Sequence, residues 1–126
     1  MERKLPPEVV EAWNGREGPV VVTTVDSRGM PNSIYASIVR MSADGRISVA
    51  DNYFDKTLAN IRLGTSASVL FITGNRKAYQ IKGSLEYHEA GPLYAEMLSW
   101  ADPKHPRKGV ALMNPEAVYR GSEKLM

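Results

Sequence analysis

Alternating apolar and polar residues predict that most of this chain is extended. Between residues 78 and 89 every second residue, from Tyr79 to Tyr87, is apolar or glycine, and polar residues such as Lys82 and Glu86 stand between them. A period of two is typical of a strand with one buried face. Shorter runs, several of them rich in β-branched residues, predict further strands at residues 20–25, 33–41, 46–51, 67–73, 110–113 and 117–119.

Turn-forming residues connect several of these predicted strands as hairpins. Asp26-Ser27-Arg28-Gly29 follows the first strand, and Ser42-Ala43-Asp44-Gly45 follows the second. Asn114-Pro115 interrupts the last apolar run and predicts a bend or an edge strand, because proline cannot donate a ladder hydrogen bond.

Three short segments have helical spacing instead. The first opens at Pro6-Pro7 and stops at Asn14-Gly15, the second covers residues 55–63, and the third starts at Gly91-Pro92. One face of the third helix carries Leu93, Met97 and Trp100. Many strands joined mostly by hairpins, with few helices, predict a mainly β antiparallel barrel with helical inserts rather than a doubly wound sheet.

Length and composition limit the classes of protein. The 126 residues fit one domain over residues 1–126, and 43% hydrophobic residues supply a single core. Sixteen basic against fourteen acidic residues give a net charge of +2 without a basic block, which argues against charge-driven nucleic-acid binding. Without cysteine there is no disulfide, thiolate nucleophile or sulfur-ligated metal.

The sequence also predicts a cytoplasmic protein without membrane association. The first seven residues lack the apolar core of a signal peptide, and no apolar run reaches the roughly 18 residues of a membrane helix.

No familiar catalytic or metal pattern is present. The two histidines, His88 and His105, have no clustered carboxylates, so neither a metal site nor a nucleophile system is predicted. The glycines do not form a dinucleotide or P-loop pattern. Three tyrosines on a barrel suit base stacking, but ordinary core or half-buried positions explain them better: Tyr35, Tyr79 and Tyr87.

The start of the second predicted helix is the strongest candidate site. Asp55 suits an N-cap, Lys56 and Thr57 fall in the first turn, and Gly64 ends the helix. A helix start has unpaired N–H groups and the positive end of the helix dipole, so a nearby lysine and hydroxyl favour an anion such as phosphate.

Several segments, in this order and spacing, resemble the FMN-binding split-barrel family related to pyridoxamine 5′-phosphate oxidase, especially its small single-domain members. Together they extend over about residues 18–90: Pro31-Asn32-Ser33, residues 42–47, 55–62, 67–72 and 79–87. The resemblance implies a six-stranded antiparallel split β-barrel of Greek-key type with two or three short helices.

The resemblance further implies a homodimer with FMN in a groove between its subunits. Asn32, Ser33, Lys56 and Thr57 would then hold the FMN phosphate. The backbone of Val49, Ala50, Asp51 and Asn52 would border the isoalloxazine ring, Glu17 would approach from the partner subunit, and Trp100 would provide an aromatic wall.

The expected activity is redox chemistry, as a flavin reductase-like oxidoreductase or an electron carrier supplied by a nicotinamide or protein donor. No side chain is assigned as catalytic, since the flavin carries the reactivity. The arginine and histidine motifs that bind the substrate of true pyridoxamine 5′-phosphate oxidases are not found, so that activity is not expected. Two alternatives stay open: F420 or haem on the same fold, and a non-catalytic barrel that binds nucleic acid or a protein partner.

Overall fold

The predicted strands form one antiparallel sheet in a computed structural model that describes residues 5–126. Residues 1–4, part of the segment used to argue against a signal peptide, lie outside the described residues. In chain order the elements are α1 Pro7–Asn14, β1 Arg16–Val25, β2 Pro31–Ala36, β3 Val39–Met41, β4 Ile47–Asp51, α2 Lys56–Leu63, β5 Ser66–Thr73, β6 Ala78–His88, α3 Pro92–Trp100, β7 Gly109–Arg120 and β8 Glu123–Lys124.

The sheet has a free strand at each end of its strand order. Its order is β2-β1-β5-β6-β7-β4-β3, and β8 pairs with β7. The inward residues of β1, β4, β5, β6 and β7 share one buried cluster, against which Ile34 of β2 and Val39 of β3 pack. The sheet therefore curls around a single core and stays open between β2 and β3. This confirms the mainly β antiparallel split barrel, with eight strands among residues 5–126 in place of the predicted six.

The predicted strand at residues 33–41 is wrong as a single strand. The structure divides it at Ser37-Ile38 into β2, which pairs with β1, and β3, which pairs with β4 at the other end of the sheet. The core-facing residues change phase at the division, from Ile34 and Ala36 in β2 to Val39 and Met41 in β3, so one continuous period of two does not describe this segment.

The first predicted strand starts four residues earlier than residue 20. β1 begins at Arg16, and its pairing with β5 shifts register between Glu17 and Val21. Gly18, with φ of +71°, lies in this irregular segment. A glycine and a proline before the β-branched run hid this part of the strand.

Asn114-Pro115 does not divide the last apolar run into two strands, but the pairing of β7 is irregular there, as the predicted bend or edge implies. β7 continues to Arg120, and Pro115 pairs with Gly83 of β6 beside a register shift. Pairing of β7 with β4 ends at Met113. Pro115 therefore has no β4 partner, and its lack of an N–H costs no hydrogen bond on that side. Gly83 is required here, since a Cβ at this position would lie 2.0 Å from the Asn114 carbonyl oxygen.

α1 packs against one end of the barrel. Trp13 meets Phe71 edge to face at 5.3 Å between ring centroids, and Phe71 stacks on Tyr79 at 5.5 Å. The Tyr79 hydroxyl donates a 2.9 Å hydrogen bond to the Glu8 carboxylate of α1. This aromatic packing fixes the helix onto the sheet.

Polar contacts fix α2 against the opposite end of β1. Asn60 is buried and donates from Nδ2 to Thr24 Oγ1 at 3.0 Å, and Thr65 donates to the Val25 carbonyl at 2.8 Å. Gly64, with φ of +74°, ends the helix in the left-handed conformation as predicted. The end of α2 is thereby held against the end of β1.

Candidate functional site

A groove of about 310 Å³ lies beside β2, the strand at one end of the sheet. Because β2 pairs only with β1, its other edge offers backbone N–H and C=O groups. Apolar and aromatic side chains dominate the walls, which are formed by Ile34, Tyr35, Ala36, Ser37, Ile38, Ala50, Asn52, Tyr53, Phe54 and His105. The mixture is typical of small-molecule sites.

The start of α2 lies next to this groove, two residues beyond Phe54. Asp55 is the N-cap residue, as predicted, but its side chain makes no capping hydrogen bond. The first-turn N–H groups therefore have no carboxylate cap and keep the positive end of the helix dipole. Lys56 is exposed, and Thr57 is buried with Oγ1 accepting a 3.1 Å bond from Asn32 Nδ2. Asn32, Lys56 and Thr57 thus come together from two elements.

Asp51 anchors the turn that joins β4 to α2. Its side chain is 0% exposed, and its two oxygens accept hydrogen bonds from the Tyr87 hydroxyl at 2.5 Å and from the Phe54 N–H at 2.9 Å. Burial, followed by the hydrogen bond to Asp51, raises the pKa of the Tyr87 hydroxyl. The carboxylate satisfies two donors where the chain leaves the sheet.

The basic loop after α3 packs against the same turn. Asn52 Oδ1 accepts the Arg107 N–H at 2.9 Å, and Tyr94 donates to the Arg107 carbonyl at 3.0 Å. Tyr53 and His105 meet edge to face with centroids 6.2 Å apart. The loop thereby places His105 on the groove wall.

Other predicted site residues lie apart from the groove within one chain. Ser33 bonds to Thr23 Oγ1 at 2.8 Å, the Val49 side chain is fully buried in the barrel core, and Glu17 lies near the other end of β1. Trp100 is half-buried in the cluster that contains Ala50, behind the groove wall. The roles of these residues stay predictions.

Of the ten lining residues, the predicted cofactor-binding set contained only Ala50 and Asn52; the eight others include Tyr35, Tyr53, Phe54 and His105. A signal was available for two of them. Tyr53 and Phe54 lie between Asn52 and the candidate helix start. His105 carried no such signal, since only the fold brings the basic loop to this turn.

Within residues 5–126 no helix is long and apolar enough to cross a membrane. The same residues contain no group of three or more histidine, aspartate or glutamate side chains arranged to hold a metal ion.

The fold and groove define a split-barrel protein. The model of the pyridoxamine 5′-phosphate oxidase family matches residues 5–120, and the chain belongs to this family. This confirms the resemblance seen in the sequence. A relative, the uncharacterized protein MJ0282 of Methanocaldococcus jannaschii, is 29% identical over an alignment of 108 residues that covers 79% of this chain and 70% of that protein.

Solved structures show the same fold. HupZ of Group A Streptococcus aligns with a TM-score of 0.79 and 24% identity, covering 92% of this chain and 93% of that one. An FMN-binding protein from Syntrophomonas wolfei aligns with a TM-score of 0.75 and 20% identity, covering 89% of this chain and 82% of that one. HutZ, the haem storage protein from Vibrio cholerae, aligns with a TM-score of 0.67 and 17% identity, covering 93% of this chain and 94% of that one.

Proposed function

We propose that this protein binds FMN in the β2 groove of a homodimer and uses it for redox chemistry, as a flavin reductase-like oxidoreductase or an electron carrier. The supporting observation is a groove with apolar and aromatic walls beside an uncapped helix start that carries an exposed lysine. Membership of the pyridoxamine 5′-phosphate oxidase family and likeness in fold to an FMN-binding protein support the choice of cofactor.

The phosphate would lie at the start of α2. Backbone N–H groups of the first turn, the helix dipole and the Lys56 ammonium all favour an anion there. Asn32 uses one amide hydrogen on Thr57 and keeps a second for another acceptor. These donors fit a phosphate better than a neutral group.

The flavin ring would lie along the groove. Ile34, Ile38 and Ala50 provide apolar contact. The Ala50 N–H already donates to the Ile38 carbonyl at 3.0 Å and is therefore not available to the ring. The free edge of β2 and the Asn52 amide would supply hydrogen bonds to the ring instead.

A second subunit would cover the groove. Tyr35 and Tyr53 line it and are 78% and 74% exposed, which leaves large aromatic surfaces available to a partner. Glu17, distant from the groove within one chain, would contribute from that partner.

When bound, FMN supplies hydride and electron transfer. The chain's own residues bind and orient it and shield one side from water, so no catalytic side chain is assigned. Oxidation of pyridoxamine 5′-phosphate is not proposed, because the additional arginine and histidine motifs for that substrate are not found in the sequence.

The proposal is tested by the absorption spectrum of the purified protein, followed by release and identification of any chromophore. We expect a flavin spectrum, and FMN rather than riboflavin in the released material. A preparation that has no chromophore and that gives no saturable binding with added FMN would contradict the proposal.

Haem is the second candidate, favoured by His105 on the groove wall and by the fold of HutZ. His88 pairs with Glu86 at 3.1 Å and is not among the groove-lining residues, so it provides a matched control. A Soret band that His105→Ala abolishes and His88→Ala preserves would favour haem over FMN.

A further inference from the structure

Tyr87 contacts the α2 segment on both sides of the proposed phosphate site. Its hydroxyl donates to Asp51, four residues before the N-cap Asp55. The guanidinium of Arg62, near the end of α2, lies 5.8 Å from the centre of the Tyr87 ring. One side chain of β6 therefore meets the turn that leads into the helix and the last turn of the helix itself.

A glycine leaves room for the Tyr87 side chain to reach Asp51. Gly109 pairs with Asp51 across β7 and β4, and a Cβ at Gly109 would lie 2.3 Å from the Tyr87 oxygen. Any other residue at position 109 would displace the tyrosine from Asp51. The close approach and the 2.5 Å hydrogen bond are separate observations of the same packing.

Asp51 in turn restrains the segment that leads into α2. Its second oxygen holds the Phe54 N–H, and its backbone carbonyl accepts the Lys108 N–H at 2.8 Å. Phe54 packs against the barrel core immediately before Asp55. A carboxylate fixed by Tyr87 thus sets the direction in which the chain enters α2.

We propose that Tyr87, acting through Asp51, is a positioning residue that orients the first-turn N–H groups of α2 toward the FMN phosphate. This inference rests on the proposed function. Tyr87 does not itself touch the phosphate, because its hydroxyl is engaged with the buried Asp51. Its loss should weaken binding of the phosphate more than binding of the ring.

The test compares FMN with riboflavin, which lacks the phosphate. Tyr87→Phe removes only the hydroxyl, and we expect FMN affinity to fall about fivefold relative to riboflavin affinity, the equivalent of one net hydrogen bond. Tyr79→Phe is the matched control. It removes a similar bond between a β6 tyrosine and a carboxylate, at the α1 end of the barrel.

A purely structural role would lower the thermal stability of both variants and leave both FMN-to-riboflavin ratios at the wild-type value, which would overturn the inference. If Tyr87→Phe does not fold, Asp51→Asn replaces it as the test variant. The asparagine side chain keeps one acceptor oxygen in place of the two of the carboxylate. An unchanged ratio in Asp51→Asn then overturns the inference. Wild-type protein that binds no FMN overturns the proposed function as well, so the two failures are distinguishable.

Discussion

Lys56 is the residue on which the proposed phosphate site depends most directly. It is exposed at the first position of α2, where its ammonium adds to the helix dipole. Lys56→Ala should weaken FMN binding about tenfold by removing a charge-assisted contact, with little effect on riboflavin. Fluorescence titration of both ligands measures this.

Lys82, exposed on β6 beside the Tyr119 ring, supplies the control lysine. Lys82→Ala should bind both ligands as wild type does. Equal losses of FMN affinity in the two variants would indicate a general charge effect instead of a local site.

The Tyr87 hydroxyl should also make stability depend on alkaline pH. Its pKa in the folded state is raised above the unfolded value of about 10, first by burial and then by the bond to Asp51. The folded protein therefore retains a proton that the unfolded chain loses above this pH. This contribution is complete below about pH 10 and is lost as the pH rises further.

Denaturant unfolding between pH 8 and 11 tests this behaviour. Wild-type stability should decline above about pH 10, and Tyr87→Phe should decline less steeply because it has no proton to lose at that position. Identical slopes in the two proteins would contradict the assignment.

Sequence reasoning predicts some residues of the site better than others, for physical reasons. Lys56 and Thr57 follow from helix-start chemistry, which is local. Asn32 came only with the family resemblance, and its contact with Thr57 is 25 residues away in sequence. The Tyr87 bond to Asp51 joins residues 36 apart and leaves no local pattern.

Among the elements, the close contact of β6 and β7 has a measurable consequence. A Cβ at Gly83 would lie 2.0 Å from a backbone carbonyl oxygen, which cannot move without shifting β7. Gly83→Ala should lower the free energy of unfolding by about 1–3 kcal/mol or more.

Gly74→Ala is the matched substitution, because its Cβ would meet only the end of the flexible Glu17 side chain at 3.3 Å. Its effect on the free energy of unfolding should stay within about 0.5 kcal/mol. Equal effects of the two substitutions in chemical denaturation would contradict the packing described.

The elements were predicted best where the sequence signal is local. β6 and the end of α2 were predicted closely, because strict alternation and Gly64 are local features. The division at Ser37-Ile38 was missed, although the core-facing residues change there from even-numbered positions in β2 to odd-numbered positions in β3. Pairing across the sheet is a property of the whole fold.

The whole molecule presents an apolar row that suits the proposed homodimer. Tyr35, Val21 and Leu70 lie opposite one another across β2, β1 and β5, and Tyr35 also lines the groove. Leu70 is 39% exposed. A partner on this face would reach the groove, where FMN is proposed to bind.

We expect sedimentation to give about twice the 13.9 kDa of one chain. Leu70→Glu should shift the protein toward monomer and weaken FMN binding, because it places a charge within an apolar contact. Ser122→Glu, in the exposed turn before β8, should change neither property. Monomeric wild-type protein with full FMN affinity would contradict this arrangement.

FMN binding itself is tested most directly by titrating the wild-type protein with FMN and, separately, with riboflavin while flavin fluorescence is followed. We expect saturable quenching by one FMN per chain, with weaker binding of riboflavin because it lacks the phosphate held at the start of α2. Absence of saturation, or equal affinity for the two flavins, would contradict the proposed site.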